Sequence, residues 1–284
     1  VGVGGVWLLT QGEDNTSPSN QDSSDGGIGT SDDSDADIQS TDDTENADGE
    51  ETGTGENDGG GANGDRNVTS AEPVFILDDE LPEGFENEGA KRTSRNPPVG
   101  EYAWSFDGDS YIRTNYVWGG GQTDHSGTLC TWAYIPSSET NNDGSRQLLG
   151  AHDGGSTGDF DGEILGLIQF GGGDGVGIYK RIASESRSVR TSDFPVNEWF
   201  HLAAVIDKSQ EQIRTYINGE LVSSSSDFDL GDMEQEPVFA VGAQGKISYG
   251  DYEFGSRFVG RLDDVRIYEE ALSSGDIQNL VNRG

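Results

Sequence analysis

The chain has 284 residues, 53 of them acidic and 17 basic, for a formal net charge of -36 at neutral pH. That length allows one or two domains with a real core, and the charge argues against nucleic acid and anionic membranes as partners, because a polyanion is repelled. The single cysteine, Cys130, excludes an intrachain disulfide and a cysteine zinc cluster; inside the apolar run "TLCTWAYI" it reads as a small core residue.

The charge is unevenly spread. Residues 1–90 hold 24 acidic groups against one basic group, Arg66, whereas residues 91–284 hold 29 against 16. Arginine dominates the basic residues, with lysine only at Lys91, Lys180, Lys208 and Lys246. An acid-rich, lysine-poor surface resembles that of halophilic proteins, where high salt screens self-repulsion.

Residues 1–10, "VGVGGVWLLT", are too few to span a bilayer, which needs about 20 apolar residues. They read as the remnant of an apolar signal or anchor, with a short docking strand as the alternative. From Gln11 to Gly64 the chain is almost entirely Asp, Ser, Thr, Gly, Asn and Glu. No apolar face exists there to offset the entropy of ordering, so the expectation is a disordered, charge-extended tether. Its carboxylates lack the spacing of an EF-hand loop. Two sequons, at Asn15 and Asn67, would accept glycans in an exported chain.

"AEPVFILDDELPEGFENEG" (71–89) is transitional, and Val74 to Leu77 fits either an accessory strand or a docking motif. "RNPPVG" then marks a boundary, because consecutive prolines resist both helix and central strand. The expected organisation is thus an N-terminal remnant at 1–10, an acidic linker at 11–96 and a folded domain at 97–284.

Beyond Pro98 come ten short apolar or alternating runs: "EYAWSF", "SYIRTNYVW", "TLCTWAYI", "RQLLGAH", "EILGLIQF", "VGIYKRI", "EWFHLAAVID", "QIRTYINGELVSSS", "VFAVGA" and "FVGRLDDVRIY". Turn formers such as "FDGDS", "NNDGS" and "GGGDG" separate them. Asn218-Gly219 is a two-residue hairpin signal, since both residues tolerate positive φ. Short strands without intervening helical patterns predict an all-β sandwich or barrel. A single helix is predicted at the end, capped by Ser273 with Asp276 three residues on, and with Ile277, Leu280 and Val281 as its apolar stripe.

The last strand poses a question. Side chains alternate faces, so Asp263 is expected to share a face with Val265 and Ile267, and Asp264 with Leu262 and Tyr268. Whichever face packs inward takes a carboxylate with it, which is costly without a cation, an arginine or backbone donors.

"WSFDGDSYI", "TLCTWAYI", "EWFHLAAVID...QIRTYINGELV" and "GRLDDVRIYEEALSSGDIQNLV" together resemble the laminin-G-like members of the concanavalin A-like lectin/glucanase superfamily. The resemblance covers nearly all of residues 100–282. It implies an antiparallel jelly-roll sandwich of two sheets with the first and last strands adjacent, a short C-terminal helix, and a calcium ion near that junction. Asp107 and Asp109 in "FDGDS", with Asp263 and Asp264, are its expected metal ligands, because calcium takes six to eight oxygens. The competing reading pairs Asp263 or Asp264 with Arg261, Arg266 or another arginine, and leaves Asp107 and Asp109 as a turn.

Some superfamily members are glycosidases, which need two facing carboxylates. Asp159, Asp161 and Glu163 in "GDFDGEILG" are at alternate positions, but Gly162 interrupts them and the flanks are loop-like. An acidic turn is the simpler reading, so no catalytic residue is assigned. His125, His152 and His201 lack metal-ligand spacing, and no helix follows "FGGGDGVG" to make a phosphate cradle. Binding is the better-supported activity. Trp118, beside flexible glycines, could present an exposed platform, with Asn142 and Asp153 in polar loops near it; core packing is the alternative for this ring. The functional expectation is a non-catalytic, calcium-stabilised module of a secreted or cell-surface protein, recognising glycan or a partner surface. A divergent glycoside hydrolase and a structural surface-assembly module are the alternatives.

Overall fold

The computed structural model describes residues 71–118, 126–141, 143–152, 164–182, 185–226, 238–248 and 251–284. In chain order the first strands are β1 (Phe75–Leu77), β2 (Glu86–Glu88), β3 (Lys91–Thr93), β4 (Ala103–Asp107), β5 (Tyr111–Val117) and β6 (Gly127–Tyr134). Then come β7 (Arg146–His152), β8 (Ile164–Phe170), β9 (Gly175–Ile182), β10 (Glu185–Thr191), β11 (Trp199–Asp207) and β12 (Gln212–Ile217). The last are β13 (Glu220–Ser225), β14 (Val238–Val241), β15 (Gln244–Ser248), β16 (Asp251–Gly255) and β17 (Val259–Tyr268), followed by helix α1 (Ser274–Val281).

These strands form the two-sheet jelly roll. One sheet runs β13-β12-β11-β6-β17-β4-β3, with β1 also on β17; the other runs β10-β9-β8-β7-β14-β5-β2, with β15 and β16 beyond β7. Among the described residues the strand ladders are antiparallel except β15 on β7. Alternation along each strand sends one set of side chains between the sheets. Leu129, Phe200, Leu202, Ile206 and Leu262 meet Leu149, Leu167, Ile178, Phe239 and Val241 in a single buried core. A second, smaller core lies on the other face of the first sheet. There Cys130, Ala203, Val205, Tyr216 and Tyr268 are covered by Leu272, Ile277 and Leu280, and burying each of the last three contributes about 1.5–3 kcal/mol.

The ends are built as expected. Ser273 and Asp276 form a reciprocal capping box at the start of α1, and Asn218 and Gly219 both have positive φ in the β12–β13 turn. Each of the ten expected runs contains a strand. Five short or polar strands were not legible as such: β2, β3, β10, β15 and β16 carry at most two apolar residues each. The two sheets also reach upstream of residue 97. Phe75 and Leu77 of β1 are buried with Ile76 exposed, and β1 pairs with β17 at Val265–Ile267. The proline boundary is therefore a bend inside the folded region, since β1, β2 and β3 precede it.

Candidate functional site

The adjacent aspartates of β17 lie where that strand changes partners. On one edge β17 pairs with β6 along its length. On the other, β4 covers Val259–Leu262 and β1 takes over at Val265. At this hand-over β17 carries an extra residue, a bulge between Asp263 and Arg266, with Asp264 at φ 46°. The bulge re-phases the strand. Leu262, Val265 and Ile267 all enter the core between the sheets, while Asp263 pairs with Trp132 and Arg266 with Cys130 on the outer face. The alternation expected from sequence, which placed Asp263 with Val265 and Ile267, is broken here, and both carboxylates escape the main core.

Both are nevertheless inaccessible, at 0% and 2% exposure, and both have partners. Asp263 accepts from the Val99 N–H at 3.0 Å and from the Asp264 N–H at 2.9 Å. These are backbone donors that neither β4 nor β1 satisfies. Arg266 donates from Nε to Asp264 at 2.7 Å, an ion pair in which both side chains are nearly fully buried. Burial, with further repulsion from Asp78, raises the Asp263 carboxyl to about 7. Nearby His201 is buried beside Trp132; burial and then Arg266 lower it to about 3, so the ring is neutral. Burial also pushes the Cys130 thiol far up, which fits an inert core residue.

Asp107 and Asp109 lie elsewhere. Asp107 accepts from the N–H groups of Asp109 and Ser110 at 3.2 and 3.1 Å, closing a tight turn. Its bonding to Ser110 and to the backbone holds it below the usual carboxylate range. Its ladder partner is Val259, four residues before Asp263, which is about 13 Å of strand. The four aspartates expected to share a calcium ion thus occupy two separate places and do not fit a single site. Among the described residues no three His, Cys, Asp or Glu side chains are grouped to hold a metal.

Trp118 is 2% exposed and packs against Phe239. It lies over Gly127, where a Cβ would clash with its ring. Its indole is a core element and offers no platform. Asn142, Asp153, Asp159, Asp161, Glu163 and His125 lie outside the described residues. His152 is half-buried at the end of β7.

A surface not expected from sequence runs across the outer face of the first sheet. Lys91, Ser105, Arg261, Tyr134 and Trp199 are successive register partners on β3, β4, β17, β6 and β11. Their chain neighbours Trp104, Leu262, Ala133 and Phe200 point into the core, so alternation turns this row outward. The Arg261 guanidinium stacks 3.7 Å from the Tyr134 ring centre and 5.1 Å from that of Trp199. Tyr134 and Trp199 meet edge to face at 5.8 Å. Arg261 also donates to the Arg95 carbonyl at 2.8 Å.

Two hollows flank this ridge. One, of about 490 Å³, is lined by Arg95, Asn96, Asn197 and Glu198 with Tyr134, Trp199 and Arg261. The other, of about 520 Å³, is lined by Lys91, Arg92, Arg95 and Pro136 among others. The Asn197 loop is pinned, its N–H donating to the Ile135 carbonyl and its side chain accepting from the Ser137 N–H. Tyr134, Trp199, Arg261 and Arg95 escaped sequence reasoning because their alignment depends on pairing between strands distant in the chain. One signal was available: "KRTSR" at 91–95 is a local reversal of charge in an acidic chain.

Sequence comparison matches residues 106–278 to the Laminin G 3 family, described as Concanavalin A-like lectin/glucanases superfamily. No curated protein matches the chain. The fold is similar to domain 4 of AbnA, a GH43 extracellular arabinanase from Geobacillus stearothermophilus, in complex with arabinotriose. That match has 22% identity and a TM-score of 0.48, over 69% of this chain and 82% of that one. It is also similar to the receptor binding domain of botulinum neurotoxin D, with 14% identity and a TM-score of 0.51 over 74% of this chain; the match spans 52% of the toxin chain. With more than half its length matched, the chain belongs to the laminin-G-like family of the concanavalin A-like lectin/glucanases superfamily.

Proposed function

We propose that the domain is a non-catalytic recognition module that binds glycan, carried by a secreted or cell-surface protein. The observation that supports this is the outward row of Arg261, Tyr134 and Trp199 between two hollows. Aromatic rings beside forked N–H and amide groups suit a sugar, which presents an apolar ring face and a rim of hydroxyls. The superfamily takes in both lectins and glucanases, and the lining favours recognition. Among the residues lining the two hollows, Glu198 is the single carboxylate. Hydrolysis requires two, about 5 Å or about 6.5–9.5 Å apart.

A glycan array probed with the intact chain at fixed high salt, beside its Trp199→Ala and Tyr134→Ala variants, tests the reading. Wild type retains a defined set of glycans and each variant loses them. Identical binding by wild type and variants moves the site elsewhere on the molecule. Turnover of a bound glycan by wild type overturns the non-catalytic reading, and the absence of any bound glycan favours a partner-surface or assembly role.

A further inference from the structure

We infer that the sugar taken by this groove is acidic, its carboxylate or sulfate held by Arg261 and Arg95 while its ring lies along Tyr134 and Trp199. This rests on the glycan-binding reading above and names the ligand class for the same surface.

Acidic residues outnumber basic ones 53 to 17 in this chain, so a cationic side chain that makes no ion pair stands out. Arg113, Arg146, Arg190, Arg214 and Arg266 each pair with a carboxylate. Lys91, Arg92, Arg95 and Arg261, gathered along the groove, make no ion pair among the described residues. Like charges side by side repel, and an anion between them removes that repulsion.

Arg261 is also set before any ligand arrives. Stacking on Tyr134 fixes the guanidinium plane, and one N–H is tied to the Arg95 carbonyl. Its remaining N–H groups have no other acceptor among the described residues. A guanidinium held in one plane matches the oxygens of a carboxylate or sulfate, and little side-chain freedom is left to lose on binding. Glu198 and Asn197, lining the same hollow, supply hydrogen-bonding groups for sugar hydroxyls.

The overall charge sets the kind of acid. A net charge of -36 repels a densely charged polymer, but potentials fade over about 10 Å at 0.1 M salt. Within that range the local cluster dominates. The groove therefore suits a glycan carrying isolated charges.

The test is calorimetric titration of the intact chain, at constant salt, with a panel of uronate oligosaccharides, their carboxyl-reduced counterparts, sulfated oligosaccharides and neutral ones. An acidic member binds at least tenfold more tightly than its uncharged counterpart. Arg261→Gln abolishes that preference, so that the acidic member and its uncharged counterpart bind the variant equally, and Arg261→Lys restores it in part. Arg95→Gln, on an exposed side chain, reduces the preference by several-fold and serves where an Arg261 variant does not fold. Binding by uronates alone, or by sulfated sugars alone, identifies the source of the anion. Equal affinity for charged and uncharged members, unchanged in Arg261→Gln and Arg95→Gln, overturns this inference and leaves glycan binding standing. No binding by any member overturns both.

Discussion

Asp263 and His201, on either side of Trp132 on the outer face of one sheet, are predicted to make opposite and nearly cancelling contributions to the pH dependence of stability. Asp263 has its folded value raised from 3.8 to about 7. Between those limits the folded chain holds a proton that the unfolded chain has released, so stability is fully present below 3.8 and is lost as pH rises to 7. His201 has its folded value lowered from 6.5 to about 3. The unfolded chain there binds a proton that the folded chain refuses, so stability rises with pH over that window. Each slope is about 1.4 kcal/mol per pH unit at full strength. From about pH 4 to 6.5 the two offset each other, and wild type hides both. Asp263→Asn keeps an acceptor for one backbone N–H and cannot titrate. Relative to wild type it gains about 3 kcal/mol between pH 4 and 7, the slope being less than full near each pKa. His201→Leu, relative to wild type, loses about 3 kcal/mol between pH 4 and 6.5. Urea unfolding of the three proteins at half-unit pH intervals and constant salt measures these differences, and the comparison with wild type cancels the titrating groups that do not touch the substituted side chain. Asp78, which is coupled to Asp263, is removed from the comparison by repeating it in an Asp78→Asn background. Variant profiles parallel to that of wild type would refute the reasoning, since neither buried group would then be shifted by its surroundings.

Removing one side of the Asp264–Arg266 pair leaves the other charge buried, so Arg266→Ala and Asp264→Ala each lose about 3–5 kcal/mol in urea unfolding, and the double variant loses less than the sum of the two. With Asp264 already bonded to Arg266, any shift in Tm on chelator addition is the same in wild type and Asp264→Asn; a shift in wild type that vanishes in the variant would return Asp264 to the candidate calcium ligands. Gly219 has φ 83°, and an added Cβ would come within 2.9 Å of the Gln278 side-chain Cδ. Gly219→Ala therefore lowers stability by about 1 kcal/mol or more, seen as a drop in Tm with the far-ultraviolet spectrum unchanged.

Local chemistry made much of the fold legible in advance. Period-two alternation marked the ten principal strand segments, Asn218-Gly219 marked the hairpin, and Ser273 with Asp276 marked the helix start, because each signal is contained within a few residues. The quoted motifs pointed to the superfamily for the same reason. Residues 75–93 were harder to read: β1 to β3 are three residues each, and they become strands by completing sheets made by others. The aspartates of β17 show the limit most clearly. Composition said that buried carboxylates need partners. Only the sheet showed a bulge at the change of strand partner, which rotates both out of the main core and toward Val99, the Asp264 N–H and Arg266. Trp118 could be placed on the surface or in the core from sequence, and packing against Phe239 decided it. The groove was least legible of all. Lys91, Ser105, Arg261, Tyr134 and Trp199 lie on five strands spread over more than a hundred residues. They align only because antiparallel register brings them level, and register is a property of long-range pairing that no local run of residues contains.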